Sequence, residues 1–151
     1  MKTLPPVLIV TDRGRLVAYR YEEGDRPRVI TTAEFEEGNS KLSELVTDQA
    51  GAFPNTGSVG TSAAERLPLE AELEVRCFRK IAETIHEVLA QEKVARWGLA
   101  APSEIHSAVV DFLGGEEVAT LALQVKRNLV NSPSVDVMRA FEKASEPAWA
   151  G

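Results

Sequence analysis

The feature that most constrains the fold is a long amphipathic stretch in the middle of the chain. Apolar residues recur there at alternating steps of four and three, at Ala71, Val75, Phe78, Ala82, Ile85 and Leu89. This spacing places them on one side of an α-helix that we expect to run from about Leu67 to Lys93, with Pro68 in its first turn. A single stripe of this kind is more typical of a helix packed on a core than of a coiled coil.

The residues before this helix predict three β-strands. Val7 to Thr11 form a continuous apolar run, as in a strand that is covered on both faces. The segments at 16–23 and 28–37 read as strands whose successive side chains alternate between two faces. Short turns containing Gly14 and Gly24 separate the three segments, so we expect an antiparallel meander.

The residues after the helix predict alternating strands and helices. The segment 97–101 reads as a strand, and Ser103 caps a helix that ends at Gly114. A further strand at 120–126 is followed by a helix that opens at Ser132-Pro133. A meander that continues into β-α-β units indicates the α/β class: one mixed β-sheet of about five strands with three main helices.

Length and composition indicate one soluble domain over residues 1–151, with a loose tail at 146–151. The net charge of −6 argues against a surface built mainly to hold nucleic acid, although it leaves room for a small basic patch. With Cys77 as the single cysteine, an internal disulfide is impossible and a cytoplasmic location is expected. Since no apolar run approaches the ~20 residues of a membrane span, we expect no membrane partner.

A glycine-containing loop, expected to be flexible, occupies residues 47–65. A phosphate-binding loop would carry a lysine at the start of the following helix, but there is no basic residue from Gln49 to Glu65. We therefore expect no nucleotide cofactor and no cofactor of another kind. The loop either contacts a partner or only connects its neighbours, and the second interpretation is the simpler. Its candidate contact residues are Asp48, Gln49, Asn55, Gly57, Ser58, Gly60 and Thr61.

Several blocks of the sequence resemble one known family. They are EFEEGNSKLSELVTDQAGAF, the helix containing RCFRKIAETI, WGLAAPSEIHSAVVDFLGG and VKRNLVNSPSVDVMRAFEK. In this order and spacing they are similar to the bacterial host-attachment protein family, over Leu8 to about Lys143. That family is in turn similar to the central domains of archaeal and eukaryotic class-one peptide-chain release factors. The resemblance implies a release-factor-like α/β domain associated with translation. Peptide release itself is not expected, because the sequence has no Gly-Gly-Gln tip.

The two histidines leave a catalytic alternative open. Glu83 and His86 have the Glu-x-x-His spacing of di-metal sites in helical bundles, but no second copy exists, so a solvated helix face is the better interpretation and no metal site is expected. His106 should lie at the margin between a helix and the sheet. A small hydrolase that uses His86 or His106 with a carboxylate is therefore the alternative function, although no nucleophile elbow is present.

The favoured interpretation is a non-enzymatic binding protein whose partner is the ribosome or RNA. A modest basic patch would serve such a partner, although scattered surface charge explains the same residues more simply. The sequence leaves homo-oligomer formation open. The residues of the candidate patch are Arg13, Arg15, Lys126, Arg127, Arg139 and Lys143.

Overall fold

A computed structural model describes residues 4–22, 26–36 and 59–145, with the backbone alone described at 59–68. Five strands form one mixed sheet: β1 (Val7–Thr11), β2 (Arg15–Arg20), β3 (Arg28–Glu34), β4 (Trp97–Ala100) and β5 (Leu121–Val125). The described residues also form four helices: α1 (Val59–Glu92), α2 (Ser103–Phe112), α3 (Gly115–Thr120) and α4 (Ser134–Ser145). The predicted α/β class, the five strands and the three main helices are confirmed, and α3 is an additional short helix.

The strand order is β3-β2-β1-β4-β5. The predicted meander is confirmed, because β2 pairs antiparallel with both β1 and β3. β4 pairs parallel with β1 and with β5, as the β-α-β units require. Three parallel strands, β1, β4 and β5, therefore end at the same edge of the sheet, called here the carboxyl edge.

Helices cover both faces of the sheet, which makes three layers. On one face α1 and α2 bury a core that includes Ile81, Ile85, Trp97, Leu99 and Ile105. On the other face α4 packs over Leu8, Val10, Val17 and Val125, mainly through Val137, Met138 and Phe141. The hydrophobic run of β1 follows from this arrangement, since all five of its residues are buried.

The boundaries of two predicted helices differ from those observed. The long helix begins at Val59, not at Leu67, so Pro68 lies in its interior and residues 59–65 of the predicted loop are helical. Ser103 is the first helical residue of α2, with Pro102 as the N-cap and no side-chain cap. Residues 47–58 of the predicted loop and the predicted tail at 146–151 lie outside the described residues.

Candidate functional site

The carboxyl edge is the place where a sheet of this order offers a crevice. The chain leaves β1 towards β2 on one side and leaves β4 towards β5 on the other, so the connections diverge between β1 and β4. Open α/β sheets bind their ligands outside the carboxyl ends of the strands at such a point. The side chains that follow β1, β4 and β5 are therefore the first candidates for a binding site.

Asp12 shapes the turn that follows β1. Its Oδ1 accepts hydrogen bonds from the backbone N–H groups of Gly14, at 2.8 Å, and of Arg15, at 2.9 Å. An aspartate that bonds to the backbone two and three residues further on replaces the pairing that the chain loses in a tight turn. The Asp12 side chain thereby fixes the backbone conformation of the turn that carries Arg13 and Arg15.

The second oxygen of Asp12 joins this turn to the loop after β5. Asn128 Nδ2 donates to Asp12 Oδ2 at 3.1 Å, across 116 residues of sequence. Asn128 Oδ1 in turn accepts from the backbone N–H of Val130 at 3.1 Å, so the asparagine is bonded at both ends of its amide. These bonds hold the turn between β1 and β2 and the loop between β5 and α4 as neighbours at the carboxyl edge.

Four of the six predicted basic residues meet at this edge. Arg13 is already paired there with Glu74 of α1, with Nη2 and Oε1 2.9 Å apart. Arg15, Lys126 and Arg127 are exposed and make no ion pair with any described residue. Arg15 alternates with Val17 and Tyr19 along β2 and so shares the α4 face with them. Burial raises the pKa of the Tyr19 phenol, and the Arg15 charge partly opposes that shift.

The other two predicted basic residues lie elsewhere. Arg139 and Lys143 are exposed on α4, on either side of Phe141. A Cβ added at Gly98, the second residue of β4, would stand 2.9 Å from the Phe141 ring, so this part of α4 lies over the opposite half of the sheet. Arg139 and Lys143 therefore lie on α4 and not in the two segments that the Asp12–Asn128 hydrogen bond joins.

The predicted loop residues contribute no described side chain to the site. Asp48, Gln49, Asn55, Gly57 and Ser58 lie outside the described residues. Gly60 and Thr61 belong to the first turn of α1, where the backbone alone is described. Whether these seven residues contact a partner stays a prediction.

Helix α1 passes the carboxyl edge and continues beyond it. Cys77 Sγ donates to the carbonyl oxygen of Arg13 at 3.1 Å, and Glu74 pairs with the Arg13 guanidinium, so this part of the helix lies beside the turn. Residues 59–73 precede that contact, which corresponds to about 22 Å of helix at 1.5 Å per residue. The carboxyl edge is thus bordered by the N-terminal part of α1 as well as by two loops.

A second group of functional side chains lies between α1 and α3, on the same face as α2. His86 Nδ1 and Glu117 Oε1 are 3.0 Å apart, with the His86 side chain 64% exposed and the Glu117 side chain 11% exposed. A cleft of about 450 Å³ opens beside this pair, and a smaller one of about 250 Å³ lies on its other side. The larger cleft is lined by Arg79, Ala82, Glu83, His86, Phe112 and Glu117, among others.

Glu117 is held in place by its own backbone and by a buried tryptophan. Trp97 Nε1 donates to the carbonyl oxygen of Glu117 at 2.8 Å. Glu117 is also the third residue of α3, from where a carboxylate can reach back to the N–H of the N-cap, Gly114. Burial by itself would raise the pKa of Glu117, but the bonds to His86 and to the backbone of Glu117 and Gly114, with the His86 charge, lower it.

Sequence reasoning singled out His86 but did not find Glu117. The two residues are 31 positions apart, and the short helix that carries Glu117 has no amphipathic stripe to reveal it. The one available signal is the Gly114-to-Glu117 spacing, which is typical of a capping box without its serine or threonine.

His106 is buried and bonded to an amide, not to a carboxylate. It is 2% exposed, and its Nε2 lies 2.7 Å from Oε1 of Gln124 on β5. Its Nδ1 is buried without a hydrogen-bond partner. A His/carboxylate pair is predicted for either His86 or His106, and in the structure His86 is the histidine that is bonded to a carboxylate.

Two further classes of site are absent from the described part of the chain. No group of three or more histidine, cysteine, aspartate or glutamate side chains there could hold a metal ion. Among the helices with described residues, none combines the length and the apolar character needed to cross a membrane.

The chain matches one family model, which is described as a protein required for attachment to host cells. The match runs over residues 7–140 and so spans every strand, α1 to α3 and about half of α4. No curated protein is significantly similar to the chain. The match confirms the resemblance read from the sequence blocks, and the chain belongs to the host-attachment protein family.

Proposed function

We propose that this chain is a non-enzymatic binding protein of the cytoplasm whose carboxyl edge contacts RNA, in the ribosome or in a particle bound to it. The observation that carries the proposal is the Asp12–Asn128 hydrogen bond, which brings two cation-bearing segments together where three parallel strands end. A fixed geometry of this kind distinguishes the edge from charge scattered over a surface.

Charge supports the choice of an anionic partner. With a net charge of −6 the chain as a whole repels a polyanion, so binding has to rely on a local excess of positive charge. Arg15, Lys126 and Arg127 provide that excess, because none of them makes an ion pair with a described carboxylate. Each of these cations that replaces a counterion at a phosphate adds to the affinity and to its dependence on salt.

RNA is preferred over other polyanions because of the release-factor resemblance read from the sequence blocks. In this proposal the domain is related to the central domains of class-one release factors, which work on the ribosome. The family description adds attachment to host cells, and we propose that this chain affects attachment indirectly, through synthesis of the proteins that mediate it.

The test compares two double variants with the same change in charge. Lys126→Glu with Arg127→Glu reverses two cations of the carboxyl edge. Arg28→Glu with Arg96→Glu reverses two exposed cations at the starts of β3 and β4, at the opposite edge. Binding of a fluorescent ribosomal RNA fragment is measured by anisotropy at several salt concentrations, and cell extracts are sedimented through sucrose gradients.

We expect the Lys126/Arg127 variant to lose at least tenfold in affinity and to show a salt dependence shallower by about 0.7 to 0.9 per lost phosphate contact. The Arg28/Arg96 variant should stay close to the unmodified protein and remain in the ribosomal fractions. Equal losses in the two variants would mean that only net charge matters. Absence of the unmodified protein from ribosomal fractions, in growth and under stress, would contradict the proposal.

A second candidate function is hydrolysis at the His86–Glu117 pair, and the geometry of that pair favours it specifically. The carboxylate accepts from Nδ1–H, which leaves Nε2 of a neutral imidazole unprotonated and able to take a proton from water. Any hydrolytic activity of the purified protein should be abolished by His86→Gln and retained by His106→Leu. Full activity in the His86 variant would remove this candidate.

A further inference from the structure

The larger cleft beside His86 has walls whose chemistry restricts the molecule that would fit. We propose that its substrate is a small ester with a free amino group next to the reacting carbonyl, an α-amino ester. This inference rests on the second candidate function, hydrolysis at the His86–Glu117 pair, which is the alternative to a non-enzymatic protein, and it adds the class of substrate. A cavity of about 450 Å³ lies within the usual size range of small-molecule sites.

The ionisable groups of the cleft favour a cation. Three carboxylates line it, on Glu83, Glu87 and Glu117, against Arg79 and the titratable His86. Glu117 is occupied by His86, whereas Glu83 and Glu87 make no ion pair with any described residue. An ammonium group that enters the cleft would therefore meet two carboxylates without a partner, while an anion would be repelled.

Arg79, the one arginine among the residues that line the cleft, contacts the aromatic ring of Phe112. The Arg79 guanidinium carbon lies 6.0 Å from the centroid of the Phe112 ring, although Glu83 is within reach one turn further along α1. Because Arg79 contacts Phe112, the Glu83 carboxylate remains available to a ligand. Phe112 is 38% exposed and, with Ala82, gives the cleft an apolar wall for the side chain of the ester.

The distances on α1 suit an α-amino ester. Glu83 and His86 are one helical turn apart, so their Cβ atoms are about 5–6 Å from each other on one side of the helix. In an α-amino ester the nitrogen and the carbonyl carbon are separated by two bonds, or about 2.5 Å. An ammonium bound at Glu83 thus brings the carbonyl carbon within range of a water molecule held by His86 Nε2.

The reaction is a hydrolysis with water as the only co-reactant. His86 Nε2 takes a proton from water as the water oxygen forms a bond to the carbonyl carbon. The tetrahedral intermediate then collapses, the bond from carbon to the alcohol oxygen breaks, and the His86 imidazolium returns the proton to that oxygen. Glu117 acts as a positioning residue, since it sets the tautomer and orientation of the ring and stabilises the imidazolium.

The experiment uses the full chain and two esters that differ in one charge. Phenylalanine ethyl ester carries the ammonium, and its N-acetyl derivative does not. Both are tested with the unmodified protein and with Glu83→Gln, His86→Gln and Glu117→Gln. Glu104→Gln, an exposed carboxylate in the first turn of α2, serves as the matched control because it removes the same charge outside the cleft.

We expect the free-amine ester to be hydrolysed at least tenfold faster than the acetylated one. Glu83→Gln should raise KM for the free-amine ester about tenfold and leave the acetylated ester unchanged. His86→Gln should lower kcat by 10²- to 10⁴-fold, the usual contribution of a general base. Glu117→Gln should move the pH profile of kcat/KM, which a purely structural role would not do, and Glu104→Gln should change nothing.

The failures of the two ideas can be told apart. Equal rates on both esters, abolished by His86→Gln, would keep the hydrolase and overturn the amine preference. If neither ester is hydrolysed, the hydrolytic candidate falls, and binding of the non-hydrolysable phenylalaninol is measured by calorimetry. Binding that Glu83→Gln removes would retain the amine class for the ligand, and no binding would overturn the inference.

Discussion

The two faces of the sheet are both closely packed, yet they are specified in different ways. The α4 face is filled by aliphatic and aromatic side chains, with Phe141 seated against the backbone of β4 at Gly98. The other face adds polar contacts to its core: the indole of Trp97 bonds to α3, Cys77 bonds to the turn after β1, and His106 bonds to β5. Apolar packing orders the first face, whereas the polar contacts of the second also fix the turn after β1 and the short helix α3, each of which contributes to one candidate site.

Gly98→Ala offers the strongest test of shape on the α4 face. The added Cβ would lie 2.9 Å from Leu8 Cδ2 and 2.9 Å from Phe141 Cε1, closer than real Cβ contacts. Both neighbours are fully buried, so Phe141 has to move and carry α4 with it. We expect the free energy of unfolding to fall by up to about 3 kcal/mol, as for other overpacked cores, measured by urea denaturation.

Gly115→Ala is the control for that substitution. A Cβ at Gly115 would have no atom within 4 Å, and the residue opens α3, where alanine is the better helix former. We expect a change within about 1 kcal/mol, in the stabilising direction. If the two glycine variants were destabilised equally, close packing at β4 would not be the cause.

Asp12→Ala tests the polar specification of the carboxyl edge. The substitution removes the acceptor of two backbone N–H groups and of the Asn128 amide at once. Loss of a comparable helix cap costs about 0.5–2 kcal/mol, and we expect about 2 kcal/mol here because two segments are released. Asn128→Ala should cost less, since the Asp12 bonds to the turn remain. An equal cost for the two variants would mean that the link between the segments, and not the turn, is what Asp12 stabilises.

Most of the fold could be predicted from the sequence, because each strand and each long helix has its own local period. The apolar run of β1, for example, can be read from five consecutive residues, all of which are buried in the structure. The start of α1 could not be predicted, because proline is common in the first turn of a helix, whereas Pro68 lies inside α1. The two site-forming contacts were hidden as well, since Asp12–Asn128 spans 116 residues and His86–Glu117 spans 31. Only the packed sheet brings such residues together.

His106→Leu asks whether a buried polar group on the second face matters for folding. His106 Nδ1 has no partner and its Nε2 bonds to Gln124, whose exposed position lets water replace the lost bond. Removal of one hydrogen-bond partner is costly mainly when the group left behind is buried, and Gln124 is exposed. We expect a change below about 1 kcal/mol in urea denaturation. A loss of 3 kcal/mol or more would show that the His106–Gln124 bond is needed to dock α2 on β5.

Glu117→Gln should have the smallest effect, and one that depends on pH. The folded pKa of Glu117 lies below its ordinary value of 4.5, so the ionised carboxylate stabilises the folded state at pH values above 4.5. That contribution is lost as the pH falls through the folded pKa. Because His86 is 64% exposed, solvent screening limits the pair to about 1 kcal/mol or less.

Urea denaturation of the Glu117→Gln variant should therefore show a small loss of stability at pH values above 4.5, and this loss should disappear as the pH falls through the lowered pKa of Glu117. Glu116→Gln, the exposed neighbouring carboxylate, is the control and should show no such dependence. The direction of this pH dependence tests whether a polar contact contributes to the stability of the second face. A difference that grew as the pH fell would mean that burial dominates the Glu117 carboxyl, and His86 would then lack the ionised partner that orients its ring.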